Sequence, residues 1–356
     1  MGVVQGSRPG QVNFEVERLA SKERFVTGNY SPLALAVVVP CYDESDVLGL
    51  TLPRLLSLVD DLQARENCSE KSFVVFIDDG STDDTWGQIE NVARQHPRRV
   101  RGIRLSHNVG HQNALLAGLE YVADKCDAAV SIDADLQDDL AAIPTMIREF
   151  RNGAEIVLGV RQSREVDPWF KRTTALTFYK LMRTMGVDLV ENHADFRLMS
   201  ARVLRHLKEF SEYHLFLRGL TPLLHHRVVT VACKRAPRTA GSTKYPLGRM
   251  LSLAWNGITS FSVVPLRMIS FPGGAAFAGS LVLATYAFLS ALTGNTLPGW
   301  ASITVPLYLL GGLIMLSVGI VGEYIGKVFL EVKRRPRFLV DAVLDGQAEN
   351  ARSVYR

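Results

Sequence analysis

The sequence predicts an α/β domain built on a mostly parallel sheet and followed by a membrane-associated segment. Three observations predict it. Short apolar, β-branched runs alternate with helical sequence from 33 to 161, which is how strands joined by crossover helices read. Acidic residues gather just past the ends of those runs, where ligands bind in open α/β sheets. Two uncharged stretches, 268–292 and 301–322, come later and are long enough to span a bilayer.

Each element has its own signal. Residues 1–32 form a polar leader with no apolar h-region, so no signal peptide is expected; Gly6 stands where a myristoylation signal carries Ser or Thr. "LALAVVVP" at 33–40 is a buried strand stopped by Pro40. An amphipathic helix is expected over roughly 46–65. "SFVVFIDDGS" is a second strand ending in two aspartates, and "STDD" is a capping start for a helix over about 83–95. "VRGIRLS" is a third strand. "HNVGHQNALLAGLEYVA" turns at Gly110 and then reads as a helix. "AAVSIDAD" is the fourth strand, "AAIPTMIREF" a helix and "AEIVLGVR" the fifth strand. Beyond Arg161 the pattern loosens: "KRTTALTFYKLM" is helical, "ADFRLMS" short and extended, and "HRVVTVACKRAPR" alternates like a strand.

The chemistry then changes. Leu247, Met250, Leu251, Ala254, Ile258 and Phe261 share one helical face, as an in-plane interfacial helix or a plain core helix would have it. The two uncharged spans follow, joined by "TGNTLPGW". Arg267 precedes them, and Lys327, Lys333, Arg334, Arg335 and Arg337 come after. The positive-inside rule puts both ends, and with them the α/β domain, in the cytoplasm.

Composition agrees. The chain has 356 residues, 47% hydrophobic and 21% charged, and a mean hydropathy of +0.09. That is high for a soluble enzyme and low for a polytopic transporter. The net charge of +4 is too slight to point to nucleic acid, and the clustered basic residues suit a membrane surface. Cys41, Cys68, Cys126 and Cys233 show no CxxC pair and no zinc spacing, so free thiols in a reducing compartment are expected.

Asp133 and Asp135 carry the sharpest chemical signal. In an extended segment residues i and i+2 share a side, and two carboxylates there repel unless a cation lies between them. Hard oxygens suit Mg2+ or Mn2+, which are held by few protein carboxylates plus substrate phosphates. On its own the pair reads as well as a solvated acidic turn. Its company matters: "VVVPCYDE", "DDGSTDDT", "DADLQDD" and "KRTTALTFY" occur in order on one α/β domain.

That set resembles the inverting glycosyltransferases of family 2, with the GT-A fold, and more narrowly the polyprenyl-phosphate branch of bactoprenol glucosyltransferases and dolichol-phosphate mannose synthases. The likeness extends through "LSHNVGHQNALLAG", "AGSTKYPLGRML" and "SFSVVPLR". It implies a GT-A domain over 33–240, an interfacial segment over 241–266, two transmembrane helices over 267–326 and a basic cytoplasmic tail over 327–356, at the inner membrane. It also implies that Pro40, Tyr42 and Glu44 line the nucleotide pocket and that Asp79 contacts the base beside Asp78. Asp133, Asp135 and Gln137 would form the metal and diphosphate site. Asp43 stands where Asn is common, and the stretch after the motif lacks the usual Pro-Pro.

The implied reaction moves one sugar from a nucleotide diphosphate to a polyprenyl (undecaprenyl-type) phosphate. The acceptor phosphate's second pKa, near ~6, makes it largely dianionic at neutral pH, so no strong base is needed. Arg161 and Arg172 are the favoured acceptor-phosphate contacts, with Arg164, Lys171, Arg218, Arg235 and Lys244 as further candidates. Asp195 occupies the position where related transferases place a base; here it either orients sugar or an arginine, or pairs structurally with Arg197. His107 and His111 have no third ligand, so a loop role near the sugar is expected and a metal role is not. His225 and His226 are read as packing residues.

Glucose from a uridine donor is the first expectation, a 4-deoxy-4-formamido-arabinose the second and mannose from a guanosine donor the third. The resemblance also implies a homo-oligomer and admits a flippase partner. A processive polysaccharide synthase would show an Arg-Trp acceptor motif, and a dinucleotide oxidoreductase a GxGxxG turn after strand one; the sequence has neither. A non-catalytic scaffold recruiting a flippase would predict damaged carboxylates, and both are intact.

Overall fold

A computed structural model describes residues 31–161, 193–210, 226–233 and 300–346, with isolated positions between 212 and 289. Arg164, Lys171, Arg172, Arg218, Arg235 and Lys244 lie outside the described residues, as do most of the interfacial segment and the first uncharged span.

The chain runs β1 (Leu35–Cys41), α1 (Ser45–Arg65), β2 (Phe73–Asp78), α2 (Thr85–Gln95), β3 (Val100–Leu105), α3 (His111–Val122) and β4 (Ala128–Ser131). It continues with α4 (Ile143–Arg151), β5 (Ile156–Arg161), β6 (His193–Ser200), α5 (Ala201–Glu209), β7 (Val228–Cys233), α6 (Trp300–Lys333) and β8 (Val340–Leu344). The strands form one sheet in the order β7-β5-β6-β4-β1-β2-β3-β8. β1 pairs in parallel with β2 on one side and β4 on the other, so the chain reverses its direction of winding at β1. That switch point is where an open α/β sheet leaves a crevice beyond its carboxyl ends.

β1 and β2 are buried on both faces, which is why they read as unbroken apolar runs. Leu35, Val37 and Val39 meet α1, α2 and α4 in one layer. Ala36 and Val38 meet α3 and α5 in the other. α3 lies directly on the sheet at Gly118, where a Cβ would come within 2.5 Å of Val38 and Ile77. The four cysteines are free and buried, as expected; burial pushes the thiols of Cys68 to about 11 and of Cys126 to about 12.

The structure departs from expectation in four places. The sheet is mixed, because β6 inserts between β4 and β5 and runs antiparallel to both. Pro40 does not stop β1, which continues to Cys41; pairing with β4 ends at Val38, so Pro40 has a strand neighbour only on the β2 side. "STDD" does not cap α2 in the expected way, since the N-cap Asp84 makes no side-chain cap. The fourth departure is at the carboxyl end. Residues 340–344, expected in a basic tail, form β8 and pair antiparallel with β3.

The second uncharged span lies within α6, which runs on to Lys333. Its 310–333 portion is the one helix among the described residues long and apolar enough to cross a membrane. Ile314, Met315 and Val318 are each at least 60% exposed, so none of the described residues covers this surface. Only this second helix of the expected hairpin is described. Arg337 then returns the chain to the α/β domain: it donates to Glu120 at 2.9 Å and to the Phe210 carbonyl at 3.0 Å. Asp345 completes the attachment, accepting from Tyr121 at 2.7 Å and Lys125 at 2.9 Å.

Candidate active site

Four loops at the carboxyl ends of β1 to β4 build the site. Past β1, Asp43 adopts a left-handed φ of 50°, a conformation that Asn and Asp tolerate better than most residues. Its amide donates to Ser81 Oγ at 3.0 Å, and its Oδ1 accepts the Thr82 amide at 2.8 Å. An asparagine would keep that acceptor, so the departure at Asp43 leaves the local scaffold intact. Asp83 then joins two helix starts, accepting from the amides of Ser45 and Thr85 at 3.0 Å each. The "STDD" carboxylate thus serves α1 as well as α2.

Slight burial works against ionisation of Asp83, but the bonds from Thr85 and Ser45 prevail and hold it down to about 2. A carboxyl depressed in the folded state contributes stability above its unfolded value, near ~4, and loses it as pH falls through the folded value. Asp83→Asn is therefore expected to lower Tm by about 2–4 °C at pH 7, and the gap to wild type should close between about pH 4 and pH 2. Thermal melts of both proteins across that range check it. Other carboxyls titrate alike in the two proteins, so the difference isolates Asp83.

Past β2, Asp78 and Asp79 divide their work. Asp79 is 2% exposed and gives one oxygen to the Val109 amide at 2.8 Å and the other to Gly110 at 3.0 Å. It clamps the loop that leads into α3. Asp78, fully buried, accepts from the Ser81 amide at 3.1 Å. Its Oδ2 has no hydrogen bond and faces Arg104 Nε at 3.6 Å. Burial raises both carboxyls, against the amide bonds each accepts. Gly80 has φ 67°, and a Cβ there would lie 2.6 Å from the His107 backbone, so only glycine lets the two loops meet.

Past β4 the strand ends at Ser131, and Asp133 and Asp135 lie on a turn rather than an extended run. Leu136, at φ 46°, donates to the Asp133 carbonyl at 3.1 Å. The pair thus stands on a tight turn rather than on an extended strand, just past the carboxyl end of β4. Thr51 of α1 fixes the turn by donating to the Ala134 carbonyl at 2.7 Å. In place of the absent Pro-Pro, Asp139 accepts the Ala141 amide and opens a short 3-10 turn before α4.

β6 delivers Asp195. Ser131 Oγ donates to the Asp195 carbonyl at 2.5 Å, and Arg197, 1% exposed, donates to Asp195 Oδ1 at 2.5 Å. The other oxygen, Oδ2, stands 3.8 Å from His111 Nε2, and Asp133 Oδ1 is 3.6 Å from the same nitrogen. His111, expected in a loop role near the sugar, thus lies between the two acids. The available signal was a glycine-histidine pair opening a helix just after a strand.

These acids, loops and helix starts gather at the carboxyl ends of the strands beside the topological switch point. Comparison with known proteins decides the class of the site. The profile of Glycosyl transferase family 2 matches residues 36–208. An uncharacterized glycosyltransferase of Bacillus subtilis, YkoT, is 48% identical over 307 residues, 86% of this chain and 91% of that one. The chain belongs to glycosyl transferase family 2. The prophage bactoprenol glucosyl transferase homolog of Escherichia coli is 35% identical over 320 residues, covering 87% of this glycosyltransferase and 99% of the relative. The bactoprenol glucosyl transferase of Shigella phage SfII is 34% identical, covering 86% and 97%. The α/β domain is thus a family 2 domain of the GT-A type.

The family implies a divalent cation, and the donor set fits one. Asp133 and Asp135 supply hard oxygens on one turn. Gln137 is 5% exposed, and its amide nitrogen, a hydrogen-bond donor without a partner, suits a phosphate oxygen of the ligand rather than the cation itself. Among the described residues no three His, Cys, Asp or Glu side chains stand ready as a metal cage; two carboxylates completed by substrate phosphates need no such trio. Pro40 is buried within β1, Tyr42 is 44% exposed at its end, and the Glu44 amide donates to Thr85 Oγ1 at 2.9 Å. Arg161 ends β5, next to Cys233 of β7.

Proposed function

We propose that this glycosyltransferase transfers one glucose from UDP-glucose to a polyprenyl phosphate at the cytoplasmic face of the membrane, with inversion. The carrying observation is the meeting of Asp133 and Asp195 across His111 at the switch point. The acceptor and sugar rest on the names of the relatives at 34–35% identity, and the membrane location on the uncovered α6 span.

Asp133 and Asp135 would hold Mg2+ or Mn2+ with the donor diphosphate, to which Gln137 would donate. The ion, when bound, supplies Lewis-acid neutralisation of charge on the leaving group. Pro40, Tyr42 and Glu44 would line the nucleotide pocket. Asp79 would contact the base beside Asp78, while its bonds to Val109 and Gly110 hold the loop before α3 against the pocket. Asp195, held by Arg197, would fix the sugar or acceptor rather than take a proton, because a phosphate dianion attacks without a base. Arg161, Arg172, Arg218 and Lys244 would receive the acceptor phosphate.

A donor panel tests this reading. Purified protein is given polyprenyl phosphate, Mn2+ or Mg2+, and UDP-glucose, UDP-4-deoxy-4-formamido-arabinose or GDP-mannose in turn. Glucose-lipid formation from UDP-glucose alone is the expected result. Turnover only with another donor would replace the sugar, and no turnover with any would favour a scaffold.

A further inference from the structure

We propose that His111 Nε2–H contacts the terminal phosphate of the donor's nucleoside diphosphate and so ties the donor half of the site to the Asp195 half. This rests on the nucleotide-sugar reading above.

Placement comes first. Asp79 holds the amides of Val109 and Gly110, and Gly110 turns at φ 90° into α3. His111 is therefore set at the first helical position by a buried anchor. Its imidazole is 46% exposed, so an incoming ligand can reach it. Nε2 stands 3.6 Å from Asp133 and 3.8 Å from Asp195. Both distances exceed an ordinary hydrogen bond, and each gap is too narrow for a bridging water. The nitrogen is held between two carboxylates and bonded to neither.

Charge comes second. A diphosphate brought to Asp133 would also lie near Asp195, on the far side of His111, and beyond the divalent ion it needs donors that face it there. His111 offers a ring N–H there, and the first turn of α3 adds amides without intrahelical acceptors. Arg197 cannot take the task, because it is 1% exposed and engaged with Asp195.

The test compares nucleotide binding by the full chain in detergent with Mn2+, using UDP, GDP and their monophosphates in calorimetric titrations. His111→Ala is expected to weaken the diphosphate that wild type prefers by about tenfold and to leave its monophosphate within about twofold. His111→Gln, which keeps an N–H donor, should restore most of the loss. Mn2+ affinity without nucleotide should be unchanged. Equal weakening of di- and monophosphate, no weakening of either, or a fall in Mn2+ affinity alone would each overturn the contact. A wild type that binds none of the four nucleotides would overturn the donor reading and the contact with it.

Discussion

Asp133→Ala and Asp135→Ala are each expected to lower kcat/KM by about 10²–10³ while leaving Tm close to wild type. The size follows from removing one electrostatic partner of a developing charge in a desolvated site, typically about 3–4 kcal/mol. The mild effect on stability follows from position. Both side chains lie on a turn past β4, and Asp135 accepts the Gln137 amide at 3.2 Å, a local bond of about 1 kcal/mol. Asp195→Ala should differ. It leaves Arg197, 1% exposed, without the carboxylate it meets at 2.5 Å, and breaking such a buried pair costs about 3–5 kcal/mol. Steady-state rates and thermal melts on the three variants separate the two behaviours. An Asp135→Ala protein with wild-type turnover, or an Asp195→Ala protein with wild-type Tm, would contradict this division of roles.

Ending the chain after Lys333 is expected to destabilise the α/β domain by several kcal/mol, although it removes nothing from the crevice. β8 covers the outer edge of β3, and Phe338, Val340 and Val343 pack on the α3 side of the sheet. Three partly buried apolar side chains are worth about 3–5 kcal/mol. Arg337 would also leave Glu120, whose burial already raises its carboxyl, and Asp345 would leave Arg101 and Lys125. Against a domain stability of about 5–15 kcal/mol, the truncated chain should melt far lower or fail to accumulate. A freely dangling basic tail would be dispensable, so an unchanged Tm after truncation would refute the structural role of β8. The strand also ties α6 to the α/β domain: six residues separate α6 from β8, and both Arg337 and Asp345 fasten to α3, whose other end carries His111.

What could be read in the sequence follows from which signals are local. β1 and β2 announced themselves because strands covered on both faces must be apolar throughout. The acid clusters were legible because strand ends and carboxylates are both visible in one dimension. The insertion of β6 between β4 and β5 was not, since alternation gives the order of elements and not the slot each takes. β8 was hidden because five residues after a basic stretch carry a weak pattern, and their partner lies more than two hundred residues away in sequence. The reach of "STDD" beyond α2 is hidden for a related reason: the second partner of Asp83, Ser45, comes from another loop. The position of His111 between two acids is not legible in one dimension, because Asp133 and Asp195 arrive from β4 and β6.

The most direct test is the rate of sugar-lipid formation by wild type before and after chelation and on return of Mn2+ or Mg2+, beside the same series for a protein carrying both Asp133→Asn and Asp135→Asn. Wild type should fall to background with chelator and recover fully with metal, and the double variant should stay at background throughout. Full turnover in chelator, or metal-restored turnover in the double variant, would contradict a divalent ion held by these two carboxylates.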